Sequence, residues 1–210
     1  MTKTIFFDFW GTLVEQGVWS PIKQVQRILD IRIPFSEYVT RMQKAMMTSS
    51  FSELREAFNA VGKEFEISIS EKKMEELIGM WNTSWMLAVL YEETVQALSE
   101  LREEYTLVLV CNTDQFSVER VLDKFNMKAH FNHIFLSYQE GSLKTDEQFF
   151  PAILAKLNVS ADDCVMVGDS IQSDILPAER AGLKTLLVDR KGRQESDKKI
   201  RNLRELTEVL

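Results

Sequence analysis

Four residues far apart in the sequence carry the chemistry this chain offers: Asp8, Lys144, Asp169 and Asp174. Three carboxylates brought together supply the hard oxygen ligands that Mg2+ prefers, with water and phosphate oxygens completing an octahedron. A carboxylate in such a site can also attack phosphorus. A lysine beside it keeps it ionised and offsets the charge of a phosphoryl group. Gly11 and Gly168 allow close backbone approach, and amides in the loop after Asp8 are suited to donate to phosphate oxygens.

For these residues to meet, strands must end where they stand. Ile5, Phe6 and Phe7 form a short apolar run leading into Asp8, which reads as a buried strand with a carboxylate at its carboxyl end. Further strands are expected at Thr106 to Val110, Ile134 to Leu136, Cys164 to Val167 and Thr185 to Val188. Helical stripes separate them: Val95, Leu98 and Leu101; Val118, Val121, Leu122 and Phe125; Phe150, Ile153, Leu154 and Leu157. Thr145 and Gln148 have the spacing of a capping box for the last of these. Gly182 is placed to end the following helix. Strands alternating with helices imply an α/β fold, a three-layer Rossmann-like parallel sheet with helices on both faces. In such sheets ligands bind beyond the carboxyl ends of the strands, where Asp8, Asn112, Lys144 and Asp169 all fall.

One stretch breaks the alternation. Residues 18–87 show only helical periods, among them Ile22, Val25, Ile28 and Leu29, with Ser20 as N-cap and Pro21 at the first helical position. Met74, Leu77, Ile78 and Trp81 make another stripe. The chain therefore divides into a discontinuous α/β core, 1–14 and 88–210, and an inserted all-helical domain, 15–87.

Composition fits this division. The 210 residues are 45% hydrophobic and 27% charged, as in a soluble globular protein. With 25 basic and 32 acidic residues the net charge is -7, so no global basic field attracts nucleic acid or anionic lipid. No apolar run approaches the ~18 residues needed to span a bilayer, and no signal peptide or membrane partner is expected. Cys111 and Cys164 sit in apolar runs, which argues against a disulfide and for a reducing, cytoplasmic setting. Oligomeric state leaves no trace in the sequence.

The motifs form a recognisable set. Phe6-Phe7-Asp8-Phe9-Trp10-Gly11-Thr12-Leu13 resembles the first motif of the haloacid dehalogenase-like (HAD) superfamily, an apolar strand followed by D-x-D-G-T-L. Leu107 to Val110 with Cys111-Asn112-Thr113-Asp114 resembles the second, Lys144 the third, and Gly168-Asp169-Ser170 through Asp174 the fourth. The resemblance implies a Mg2+-dependent phosphatase acting on a small phosphate ester. Asp8 would be nucleophile and metal ligand, and Lys144 would orient it and bind phosphate. The backbone carbonyl of Trp10, Asp169 and Asp174 would complete the metal site. Cys111, Asn112, Thr113 and Lys144 would line the substrate site, and residues 15–87 match the family's helical cap.

Two departures qualify that reading. Trp10 stands where family phosphatases have the aspartate that protonates the leaving oxygen, and tryptophan transfers no proton. Cys111 replaces the Ser or Thr of the second motif, and its thiol is a weaker donor that Asn112 or Thr113 would have to replace. Alternatives follow: a metal-independent dehalogenase, which tolerates an aromatic at Trp10 but typically has Asn at Asp169; a phosphonate hydrolase using a cap lysine such as Lys63; or an impaired member that binds ligand without turnover. His130 and His133 read as an ordinary loop. Trp19, Trp81 and Trp85 read as packing within the cap, and Arg190-Lys191-Gly192-Arg193 as a solvated loop.

Overall fold

In the computed structural model, which describes residues 2–196 and 198–210, the chain opens with β1 (Thr4–Phe7) and a two-residue strand β2 (Val14–Glu15). Four helices follow: α1 (Pro21–Leu29), α2 (Phe35–Met47), α3 (Leu54–Glu64) and α4 (Glu71–Met86). A short β3 (Val89–Leu90) then leads into α5 (Thr94–Leu101), β4 (Thr106–Cys111), α6 (Val118–Lys124), β5 (His133–Leu136) and α7 (Ser137–Glu140). The chain ends with α8 (Phe149–Leu157), β6 (Cys164–Gly168), α9 (Leu176–Arg180), β7 (Lys184–Val188), β8 (Lys199–Ile200) and α10 (Leu206–Val209).

Six of these strands form one parallel sheet in the order β5-β4-β1-β6-β7-β8. Both faces are buried because side chains alternate across each strand. Ile5 and Phe7 join Leu107, Leu109, Val165 and Val167 under α5 and α6, whereas Phe6 joins Val108, Val110 and Met166 under α8. This is the expected three-layer arrangement. Phe7 pairs with Leu109 on one side and Val167 on the other, so β4, β1 and β6 end within two residues of one another. Strand order reverses at the β1/β6 junction, the place where open sheets leave a crevice for ligands.

Helices α1 to α4 all fall between β2 and β3, and their apolar faces converge on a separate cluster that includes Val25, Tyr38, Met42, Phe58, Leu77 and Trp81. The strands on either side of them pair antiparallel, Val14 with Leu90 and Glu15 with Val89. These two-residue strands are too short to leave a period in the sequence, and so is β8. Among the described residues no helix is long and apolar enough to cross a membrane.

Several local expectations need correction. Ser20 precedes α1 in a left-handed conformation (φ 37°) and its side chain caps nothing; Gln24 instead reaches back to donate to the Trp19 carbonyl at 2.7 Å. Thr145 and Gln148 form no capping box. The segment first closes a turn in which Asp146 accepts from the Leu143 N–H at 2.9 Å, and this delays the helix to Phe149. Trp19 is 73% exposed and is not packing. Cys111 and Cys164 are free thiols belonging to clusters on opposite faces of the sheet, so they cannot pair.

Candidate active site

Asp8 leaves β1 with its N–H still donating to the Val167 carbonyl of β6 at 2.9 Å, so the sheet ladder itself fixes its backbone. The Lys144 ammonium donates to Asp8 Oδ1 and to Asp174 Oδ1, at 2.5 Å each. Lys144 is 2% exposed and Asp174 is fully buried. The Lys144 N–H donates to Asn112 Oδ1 at 2.9 Å, which with the Leu143–Asp146 turn holds the lysine loop against the end of β4. Asp174 lies in a single π-helical turn, Ile171–Ile175, and its Oδ2 accepts from the Ser170 N–H at 3.0 Å. The Thr12 hydroxyl donates to Asp8 Oδ2 at 3.3 Å.

Two glycines leave room for these carboxylates. A Cβ on Gly168 would lie 2.4 Å from Asp174 Oδ2, and one on Gly11 would lie 2.1 Å from Asp169 Oδ2. Gly11 also holds φ +81°, a left-handed conformation that side chains disfavour.

Asp8, Asp169 and Asp174 each present a carboxylate oxygen, and the three lie within 4.8 Å of one another. Against them stands one ammonium. Burial pushes the Asp8 carboxyl up to about 6, with Lys144 opposing the rise and Asp174 adding to it. Asp169 rises well above the carboxylate range through burial and the charges of Asp8 and Asp174. Burial disfavours the Lys144 ammonium, yet Asp174 and Asp8 outweigh it and hold its pKa above the ordinary lysine value. A hard, all-oxygen cluster with surplus negative charge, enclosed by two glycines that leave no room for a Cβ, fits a divalent cation of the Mg2+ type.

Above this floor lies a cleft of about 250 Å3. Of the residues singled out in the sequence, Asp8, Trp10, Asn112, Thr113, Lys144, Asp169 and Asp174 all line it. Cys111 does not: it is 1% exposed within the core beneath, and burial pushes its thiol far up, so it is neither a cleft wall nor a nucleophile. Neither Asn112 nor Thr113 has a side chain left idle to replace it. Asn112 Nδ2 donates to Gln43 at 3.3 Å, and the Thr113 hydroxyl donates to the Asp114 carbonyl at 3.0 Å. His130 and His133 are no part of the carboxylate group.

The facing wall comes from α1, α2 and α4: Ile22, Val39, Gln43, Met47, Trp81 and Ser84. Direct bonds tie it to the sheet side. Trp81 Nε1 donates to Asp114 Oδ2 and Ser117 Oγ at 3.1 Å, and the Ser137 hydroxyl donates to the Met47 carbonyl at 2.6 Å. Trp81 thus packs edge-on to Phe58 while reaching into the site, a second role that helical spacing does not reveal.

Arg190 is the residue that sequence reasoning missed. It is no solvated side chain: its guanidinium donates to the Thr12 carbonyl at 2.6 Å, the Gly11 carbonyl at 3.3 Å and Glu93 at 2.7 Å, and lies 3.5 Å from the Tyr91 ring centre. It clamps the loop that follows Asp8. Its partners lie about a hundred or more residues away in sequence, so no local signal marks it.

Comparison with known proteins finds similar hydrolases. The family model for haloacid dehalogenase-like hydrolases matches residues 2–182. The N-acylneuraminate-9-phosphatase of Rattus norvegicus is 26% identical over 207 residues, covering 90% of this chain and 84% of the relative. The glyceraldehyde 3-phosphate phosphatase of Pyrococcus abyssi is 26% identical over 200 residues, 89% of this chain and 81% of the relative. In fold, a magnesium-bound putative HAD-hydrolase of Bacillus subtilis superposes with a TM-score of 0.69 at 22% identity, over 100% of this chain and 98% of the other.

Proposed function

The chain belongs to the haloacid dehalogenase-like hydrolases, and from that membership we propose that it is a Mg2+-dependent phosphatase of small phosphate esters, with Asp8 as nucleophile. The observation that carries the proposal is the buried constellation itself: Asp8 held 2.5 Å from Lys144, with oxygens of Asp169 and Asp174 within 4.8 Å. The relatives named as phosphatases support the same reaction class.

In this reading Asp8, Asp169, Asp174 and the Trp10 carbonyl would hold Mg2+, which supplies charge neutralisation for the incoming phosphoryl oxygens. Lys144 keeps Asp8 ionised and draws the phosphoryl group toward it. An Asp8 oxygen attacks phosphorus, the bond to the leaving oxygen breaks, and that oxygen takes its proton from water. A second water then attacks phosphorus in the phosphoaspartyl group, releasing inorganic phosphate and restoring the carboxylate. Helices α1 to α4, within residues 15–87, act as a cap that encloses the substrate and excludes bulk water.

Trp10 shapes the reaction by what it lacks. With tryptophan where family phosphatases carry the acid, turnover is fastest for esters whose leaving group needs no proton. Trp10 also gives one ground for a second reading, the metal-independent dehalogenase, in which no leaving-group proton is required. Assays of phosphate release from p-nitrophenyl phosphate and of halide release from 2-chloropropionate, each with and without Mg2+, separate the two. The proposal expects Mg2+-dependent phosphate release that vanishes in Asp8→Asn, and no halide. Halide release without metal would replace it with the second reading.

A further inference from the structure

We infer that the alcohol esterified to phosphate in this cleft is hydroxylated and bears no negative charge of its own, a carboxylate on the substrate being selected against. The inference rests on the phosphatase reading and adds to it the chemistry of the leaving group.

Charge is distributed unevenly around the cleft. Its walls carry Asp8, Asp114, Asp169 and Asp174, and Lys144 is the only cation among the described residues lining it. That ammonium already touches two carboxylates and is 2% exposed. The wall built by α1, α2 and α4, where the part of the substrate beyond the phosphate would rest, holds no charged side chain. Among Ile22, Val39 and Met47 it offers the Gln43 amide nitrogen as donor and the Ser84 hydroxyl oxygen as acceptor, Gln43 Oε1 being taken by Asn112 and the Ser84 proton by the Trp81 carbonyl. One donor and one acceptor together can pair with hydroxyl groups of a neutral substrate. A carboxylate placed there would lose its water, find no cation, and face the negative floor.

Two cations beside the loop that follows Asp8 do not alter the balance. Arg190 is fully engaged by Glu93 and the Gly11 and Thr12 carbonyls. Lys191 is exposed on an outer groove that shares Trp10, Gln16 and Asp169 with the cleft, so it reaches only what extends past Trp10.

Glycerol 3-phosphate and 3-phosphoglycerate have the same carbon count and the same kind of ester, and only the second bears a carboxylate. Both would be assayed as substrates of the wild type, and titrated calorimetrically into Asp8→Asn with Mg2+ present. The expected preference for glycerol 3-phosphate is on the order of tenfold to a hundredfold in kcat/KM and in affinity. Gln43→Arg, which places a cation on the neutral wall, should narrow or reverse that ratio. Equal or better use of 3-phosphoglycerate overturns the inference, as does a carboxylate affinity that falls in Lys191→Ala, or binding of neither ester. Parallel p-nitrophenyl phosphate assays keep the two levels apart. If it is not hydrolysed with Mg2+ the phosphatase reading fails, while the calorimetric pair still decides the charge preference.

Discussion

The two walls of the cleft are built on different principles. The sheet side is charged, buried and fixed from beneath: Asp8 by the β1–β6 ladder, Lys144 by Asn112, Asp174 by the Ser170 amide, and the Gly11–Thr12 loop by Arg190. The helical side presents amide, hydroxyl and hydrocarbon groups and is tied to the sheet by a few bonds, notably Trp81 to Asp114 and Gln43 to Asn112. The difference teaches a division of labour. Changes to the floor should alter the chemical step for every substrate, whereas changes to the helical wall should alter which substrate is accepted.

The largest effect expected is a gain. Trp10→Asp restores a proton donor beside Asp8, and general acid catalysis contributes about 10²- to 10⁴-fold. Steady-state rates on an alkyl phosphate should rise by that order, with little change for p-nitrophenyl phosphate; equal gains on both would mean that Trp10 acts through the shape of the cleft. Lys144→Met comes next. It leaves Asp8 and Asp174 buried, beside Asp169, with no cation, a loss of about 3–5 kcal/mol that urea unfolding would read, together with loss of turnover. A variant as stable as the wild type would show that the floor does not depend on this pair.

Metal and pH probe the same floor. Burial raises the Asp8 carboxyl from 3.8 to about 6, so across pH 4 to 6 the folded state holds a proton that the unfolded chain has released. Ionising Asp8 therefore costs stability as pH rises through this window, and a bound cation offsets the cost. Mg2+ should raise the melting temperature more at about pH 8 than at about pH 5, with a stabilisation of about 2.7 kcal/mol at a hundredfold excess over Kd. Equal shifts at both pH values would remove Asp8 from the ligand set.

The smallest effect belongs to the helical wall. Trp81→Phe keeps the packing against Phe58 but removes the indole donor to buried Asp114 and Ser117, at about 1–3 kcal/mol. Thermal unfolding should register that loss. The contrast between the walls predicts a rise in KM with kcat nearly unchanged; a fall in kcat alone would break it.

The floor was far more legible in the sequence than the wall facing it. Asp8 follows a strand and Asp169 a strand-ending glycine whose local pattern is strong, and parallel strands bring their ends together without further information, while Asp174 follows from the spacing of the fourth motif. Lys144 is legible through motif order, since nothing around it is periodic. By contrast, Arg190 and Trp81 act through partners distant in sequence, and Gln43 is one polar residue on an amphipathic helix. Cys111 shows the limit on the sheet side: the last residue of β4 turns inward, so its place in a motif did not make it a cleft residue. The Thr145–Gln148 spacing failed because a carboxylate turn at Asp146 competes for the same backbone groups.

The central claim is that Asp8 itself accepts the phosphoryl group. Acid-quenching the protein during turnover of p-nitrophenyl phosphate with Mg2+, then mapping peptides by mass spectrometry, tests it directly. The account predicts one phosphoryl group on the peptide containing Asp8, absent without Mg2+ and absent in Asp8→Asn. Phosphate release with that peptide unmodified throughout, or with the phosphoryl group on another residue, would contradict it.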